Sequence, residues 1–132
     1  MRLLQRVLLL MALVWAACGV AIGAAPSFVL VTLFDLPEPP DFGYVRVAGV
    51  LSFSLALLMV MISRRLADLW WFAWAFVIAA GGTALVAAGT ALLGLPEGAS
   101  PLLWWLFASM STVFTVGLLA GLAKTGTERS PA

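Results

Sequence analysis

The sequence predicts an all-α fold: a four-span transmembrane antiparallel helix bundle with both termini cytoplasmic. Three observations carry this. Hydrophobic residues make up 64% of the chain and charged residues 10%, which is more apolar surface than a water-soluble domain can hide. Uncharged stretches at 7–34, 47–63, 69–96 and 98–123 are separated by short charged or proline-rich joints. Six of the seven basic residues fall on one side of the membrane in an even-span topology, as the bias of cytoplasmic loops toward Lys and Arg requires.

The first span is drawn over 3–25. Arg2 and Arg6 before an apolar run look like the start of a secretory signal, and Gly23-Ala24-Ala25 has the small residues of a cleavage site. The uncharged run nevertheless continues to Phe34, Pro26 would follow directly on the cut, and three more apolar stretches follow. Retention as a membrane span is therefore expected. Trp15 stands where a lipid-attachment motif for Cys18 would carry leucine. Pro26 has no N–H and marks a break or a new first turn. Residues 27–34 are too few to cross again and are expected at the interface or against the bundle. Residues 35–41 form a loop with three prolines and three acids.

The second span is drawn over 42–62, stopping at Arg64-Arg65. Its uncharged part, 47–63, is shorter than the roughly 20 residues that cross hydrocarbon, so Tyr44 and Arg46 belong in the headgroup zone. The third span covers 69–93. Residues 94–101 hold two glycines, two prolines and an acid and read as a turn. The fourth span covers 102–123, with the polar tail 124–132 expected to be flexible. Short joints make successive helices antiparallel neighbours. The two halves differ in helix length and glycine placement, which does not suggest an inverted-repeat transporter.

The cytoplasmic side would hold Arg2, Arg6, Arg64, Arg65, Lys124 and Arg129. The outer side would hold Arg46 with Asp35, Glu38, Asp41 and Glu97. Trp70, Trp71 and Trp74 then fall at the inner start of the third helix. Trp104 and Trp105 fall at the outer interface with Phe42 and Tyr44. Anchoring of amphipathic rings at the headgroups accounts for them better than ligand stacking.

Several function classes lose their residues. The chain has no histidine, no asparagine and one cysteine, Cys18. Histidine ligation of zinc or haem, an intramolecular disulfide and a thiol pair are thus ruled out. The net charge of +1 gives no basis for nucleic-acid binding. No acid or lysine lies at mid-membrane, where proton-coupled exchangers need one. That argues against small multidrug exporters. Fluoride channels rely on asparagine, and quinone-linked disulfide enzymes need a Cys-x-x-Cys pair. No catalytic residue and no cofactor are expected.

Three groups of residues remain. Gly19-x-x-x-Gly23 lies in the outer half of the first helix and Gly117-x-x-x-Gly121 in the inner half of the fourth. Their depths differ, so they cannot meet. Ala75, Ala79, Gly82 and Gly89 share a face of the third helix and offer partners at both levels, which would make that helix central. Packing within the chain is preferred over a dimer seam. Ser109 and Thr112, flanked by Ser111 and Thr115, give the fourth helix a polar wall that ends at Val116. Such hydroxyls more often bond within or between helices than line a cavity. Arg46, on the acidic side, is a candidate outer-mouth site with Asp35, Glu38 and Asp41. Snorkelling or pairing is preferred over an anion or lipid-headgroup contact. Arg64 and Arg65 set orientation and touch anionic lipid.

The first helix ending in Ala25-Pro26, the loop Leu36-Pro37-Glu38-Pro39-Pro40, the opening Tyr44-Val45-Arg46-Val47-Ala48-Gly49 and the closing Ser63-Arg64-Arg65 resemble small bacterial four-helix membrane proteins of the DoxX-like kind and related families of unknown function. The likeness covers most of the chain in layout. It implies a four-helix bundle in the bacterial inner membrane. It carries over no catalytic residue, and the family's association with quinone oxidation does not transfer to a chain without histidine or paired cysteines.

The expected function is that of a non-catalytic membrane module that binds a partner protein, itself or a lipid-like molecule. The alternatives are a DoxX-like quinone-linked accessory subunit and a homo-oligomeric channel or carrier. The partners expected are the lipid bilayer and either a second copy or another membrane protein. An apolar pocket opening between helices near Arg46 would favour ligand binding. A water-wide path along Ser109 and Thr112 would favour transport. A filled bundle with a flat small-residue face would favour partner binding.

Overall fold

Uncharged runs of this length close all their backbone hydrogen bonds internally when helical, which is what hydrocarbon demands. The computed structural model describes residues 2–34, 43–94 and 101–129, and every element among them is helical. We label α1 Arg2–Ala24, α2 Gly43–Arg64, α3 Leu66–Gly94 and α4 Leu102–Arg129. All four are long and apolar enough to cross a membrane. Only 17% to 28% of the residues in their apolar stretches are buried. Leu13, Ile78, Leu85 and Val113 each expose two-thirds of their surface or more. Water does not favour so continuous an apolar exterior; lipid does.

The helix ends depart from the sequence expectation where polar residues continue a helix. A single residue, Arg65, separates α2 from α3. Its φ of −129° and ψ of 40° break the helix, and its N–H donates to the Ile62 carbonyl at 3.0 Å. Its exposed guanidinium then meets Asp68 at 3.3 Å, a surface pair that adds little stability. α3 thus starts at Leu66, before the apolar run. It tightens to a 3-10 turn over Trp70–Phe72, runs as α-helix over Ala73–Gly89 and widens to a π turn over Thr90–Gly94. α4 continues to Arg129, through much of the tail expected to be flexible. There Thr125 is fully buried and the Thr127 hydroxyl donates to the Ala123 carbonyl at 2.9 Å. After α1, Pro26 has no N–H to offer the helix ladder, and a π turn over Phe28–Leu33 follows it.

Packing centres on α1. It lies along α2 on one side and α4 on the other, and α4 in turn lies along α3. Residue pairs run in opposite order along the α1–α2 seam: Gln5 Nε2 donates to the Ser63 carbonyl at 3.1 Å, whereas Gly19 and Gly23 meet Gly49 at the other end. On the α1–α4 seam Leu4 meets Gly121 and Val7 meets Gly117. The fully buried Leu4, Leu8, Met11, Met59 and Leu118 fill the centre. α2 touches α3 at its base, through Trp70–Phe72, but no comparable seam joins α2 to Ala73–Gly89. The helices therefore enclose a space with three packed seams and one open one.

This arrangement corrects the expectation that the third helix is central. α3 buries Ala73, Phe76, Ala80 and Ala87. Ala75, Gly82 and Gly89 are exposed, and a β-carbon built on Gly82 or Gly89 meets nothing within 4 Å. The close approaches belong instead to α1, whose partner on α2 is Gly49, outside any Gly-x-x-x-Gly spacing.

Candidate functional site

The unsealed side of the helix set leaves a cavity of ≈ 280 Å³ walled by all four helices. Most of the wall is apolar. Trp15 on α1 and Phe107 and Phe114 on α4 supply aromatic surface, and Ala48 of α2 stands exposed at its edge. Among the described residues, no charged side chain lines it. The polar groups are a belt of four: Cys18, Ser52, Thr83 and Ser111, one from each helix. The space is large enough for part of a small apolar molecule and lies near the lower end of ligand-pocket sizes.

The belt hydroxyls differ in how they are held. Ser52 Oγ donates to the Ala48 carbonyl at 2.8 Å, and Thr83 Oγ1 donates to the Ala79 carbonyl at 2.7 Å. Both thereby satisfy themselves one turn back, as hydroxyls in apolar helices usually do. Ser111 is 6% exposed, yet among the described residues its hydroxyl makes no hydrogen bond, whereas those of Ser109, Thr112 and Thr115 all donate to their own helix at 2.7–2.8 Å. Cys18 is half-buried and unbridged.

Ser109 and Thr112 do not face this space. Both are exposed and donate to the carbonyls of Trp105 and Ala108. At about 100° per residue, position 111 points roughly opposite to 109. The inward face of α4 is that of Phe107, Ser111 and Phe114, so the expected polar wall looks outward and one of its flanking members looks in. Arg46 is exposed on the first turn of α2, two positions before Ala48 at the cavity edge. Its expected partners Asp35, Glu38 and Asp41 lie outside the described residues. Gly19, Gly23, Gly117 and Gly121 sit at the α1 seams described above, and Gly82 and Gly89 face out. Gly82 also borders a shallower groove between α3 and α4, beside Ile78, Val86 and Trp104.

The sequence reading did not group Trp15, Ala48, Ser52, Thr83 and Ser111. The available signal was that every span carries small polar residues, Cys18, Ser52, Thr83 and Ser111 among them. Among the described residues no group of three His, Cys, Asp or Glu side chains could hold a metal ion. Comparison of the chain with protein-family models, with curated proteins and with solved structures gives no match, so the chemistry of the site is read from its own geometry.

Proposed function

We propose that this chain is an antiparallel four-span bundle with both termini cytoplasmic, and that it acts as a non-catalytic binding module for a lipid-like molecule. The observation that carries this is the uncharged, aromatic-walled cavity on the side where α2 and α3 do not seal. A lipid-like ligand enters such a site from the hydrocarbon phase without crossing water. The basic residues at one end of the helices support the orientation. The DoxX-like layout supports a bacterial inner membrane. Ser109 and Thr112 turn outward, so neither lines the cavity walled by the four helices.

Photolabelling tests the proposal. Purified protein in detergent, irradiated with a diazirine-bearing C16 alcohol, should carry adducts on Trp15, Met110 or Phe114, residues of the cavity wall. Ser52→Phe should fill the space and move the adducts to the outer helix faces. Adducts spread over exposed leucines, unchanged by Ser52→Phe, would overturn it.

A second reading has its own observation. The exposed Gly82 and Gly89 of α3 have open space beside them, and a second copy's helix approaches most closely over glycine. Cross-linking of a Gly82→Cys variant in membranes, absent for Leu13→Cys on α1, would favour self-association through that face.

A further inference from the structure

Ser111 is the one belt residue that combines near-complete burial with a hydroxyl left free, and the depth of the belt limits what can bond to it. Ser111 lies six residues past Trp105 and Ser52 six past Arg46, the residues expected at the outer interface. At 1.5 Å per residue both positions are about 9 Å below that interface, inside the hydrocarbon layer. A phospholipid holds its ester and phosphate oxygens at the interface. Its acyl chain would bring no polar atom to this depth. Beside a pure hydrocarbon the Ser111 hydroxyl would gain no partner in its present rotamer and would have to turn back to its own helix, as those of Ser52 and Thr83 do. A charged headgroup drawn inward would find no counter-charge on the wall.

We infer that the cavity takes a neutral, headgroup-free lipid carrying one hydroxyl or carbonyl oxygen, which Ser111 binds below the headgroups. This rests on the lipid-binding reading of the same cavity. Ser111 donates to the ligand oxygen. Ser52 and Thr83 already donate to their own helices but keep lone pairs that can accept from a ligand hydroxyl. The apolar wall takes the chain, and the unsealed side between α2 and α3 lets the remainder lie in lipid.

Cys18 is the only thiol in the chain and lines the cavity, so its alkylation by N-ethylmaleimide in detergent reports occupancy. The probes are the C20 alcohol phytol and its hydrocarbon counterpart phytane. Phytol should slow alkylation of the wild type. Ser111→Ala should raise the half-protective phytol concentration about three- to tenfold, the worth of one neutral hydrogen bond, while the weaker protection by phytane stays the same. Ser111→Thr, which keeps a donor hydroxyl and leaves Cys18 the only thiol, should stay near the wild type and guards against a folding defect in the alanine variant. Ser52→Ala and Thr83→Ala should shift phytol protection less than about twofold, because neither hydroxyl offers the ligand its proton. Equal protection by phytol and phytane, with Ser111→Ala like the wild type, would overturn the role of Ser111 and leave lipid binding intact. No protection by either probe, with Ala48→Phe at the cavity edge leaving the alkylation rate unchanged, would overturn both.

Discussion

Gly19 and Gly49 meet backbone to backbone across the α1–α2 seam. A β-carbon added to Gly19 would stand 2.6 Å from the Gly49 carbonyl oxygen, and one added to Gly49 would stand 2.7 Å from the Gly19 carbonyl oxygen and 2.8 Å from the Gly23 nitrogen. Backbone atoms cannot swing aside as a side-chain tip can, so either alanine must push the two helices apart. Lipid supplies no hydrophobic drive to hold them together, and close packing is what remains. Gly19→Ala and Gly49→Ala should each lower stability by about 1–3 kcal/mol, the usual cost of overpacking, read as a drop in Tm in detergent. Gly23→Ala places its β-carbon in open space and should be neutral or slightly stabilising, since alanine is the better helix former. An unchanged Tm for Gly49→Ala would mean that the seam is not this tight.

The four helices were legible because each is an uncharged run near the length that hydrocarbon demands, and that property needs no knowledge of neighbours. The seams were less legible. Gly19-x-x-x-Gly23 is visible as a spacing, but its partner Gly49 is a lone glycine whose role depends on how α2 is rotated and how far it slides along α1. Gly82 and Gly89 have as good a spacing and face outward. The cavity was least legible of all. Its four polar residues are far apart in sequence and become neighbours only once the α1–α4 seam is closed and α2 is left apart from α3. Ser109 and Ser111 look alike in sequence, and only the rotation of α4 separates an outward hydroxyl from an inward one.

The α1–α4 seam gives a graded test. A β-carbon on Gly121 would stand 2.9 Å from the Leu4 Cα, a backbone atom. One on Gly117 would stand 3.3 Å from the Val7 methyl groups. Val7 is partly buried and can shift by a few tenths of an ångström, whereas Leu4 is fully buried at the centre of the fold. Gly121→Ala should therefore cost more than Gly117→Ala, by about 1 kcal/mol or more. Tm values in the same detergent would check the order, and the reverse order would move the seam by a turn.

Outward hydroxyls should matter little. Ser109 and Thr112 donate to carbonyls of their own helix at 2.8 and 2.7 Å, bonds that the backbone ladder duplicates. Ser109→Ala and Thr112→Ala should each change stability by less than about 0.5 kcal/mol, as surface substitutions do. A loss well beyond that in either variant would place the residue at a contact with another molecule, where an outward polar atom has a partner to lose.

Orientation is the prediction on which the depth of every site depends. Arg2, Arg6, Arg64, Arg65, Lys124 and Arg129 gather at one side if four spans are retained, and basic loops stay in the cytoplasm. The turn at Arg65 would then be internal, and the joints holding Glu38 and Glu97 external. In a Cys18→Ser background, Glu38→Cys and Glu97→Cys should react in intact cells with a maleimide that cannot cross membranes. Arg65→Cys should react only after permeabilisation. The Arg65 turn is the sharper probe because it is exposed, with its guanidinium 3.3 Å from Asp68 on the surface, so lack of reaction there cannot come from burial. Reaction of Arg65→Cys from outside would mean that one span is missing or that the chain is inverted. The cavity edge near Ala48 would then open toward the inner leaflet, and Arg46 would join the cytoplasmic face.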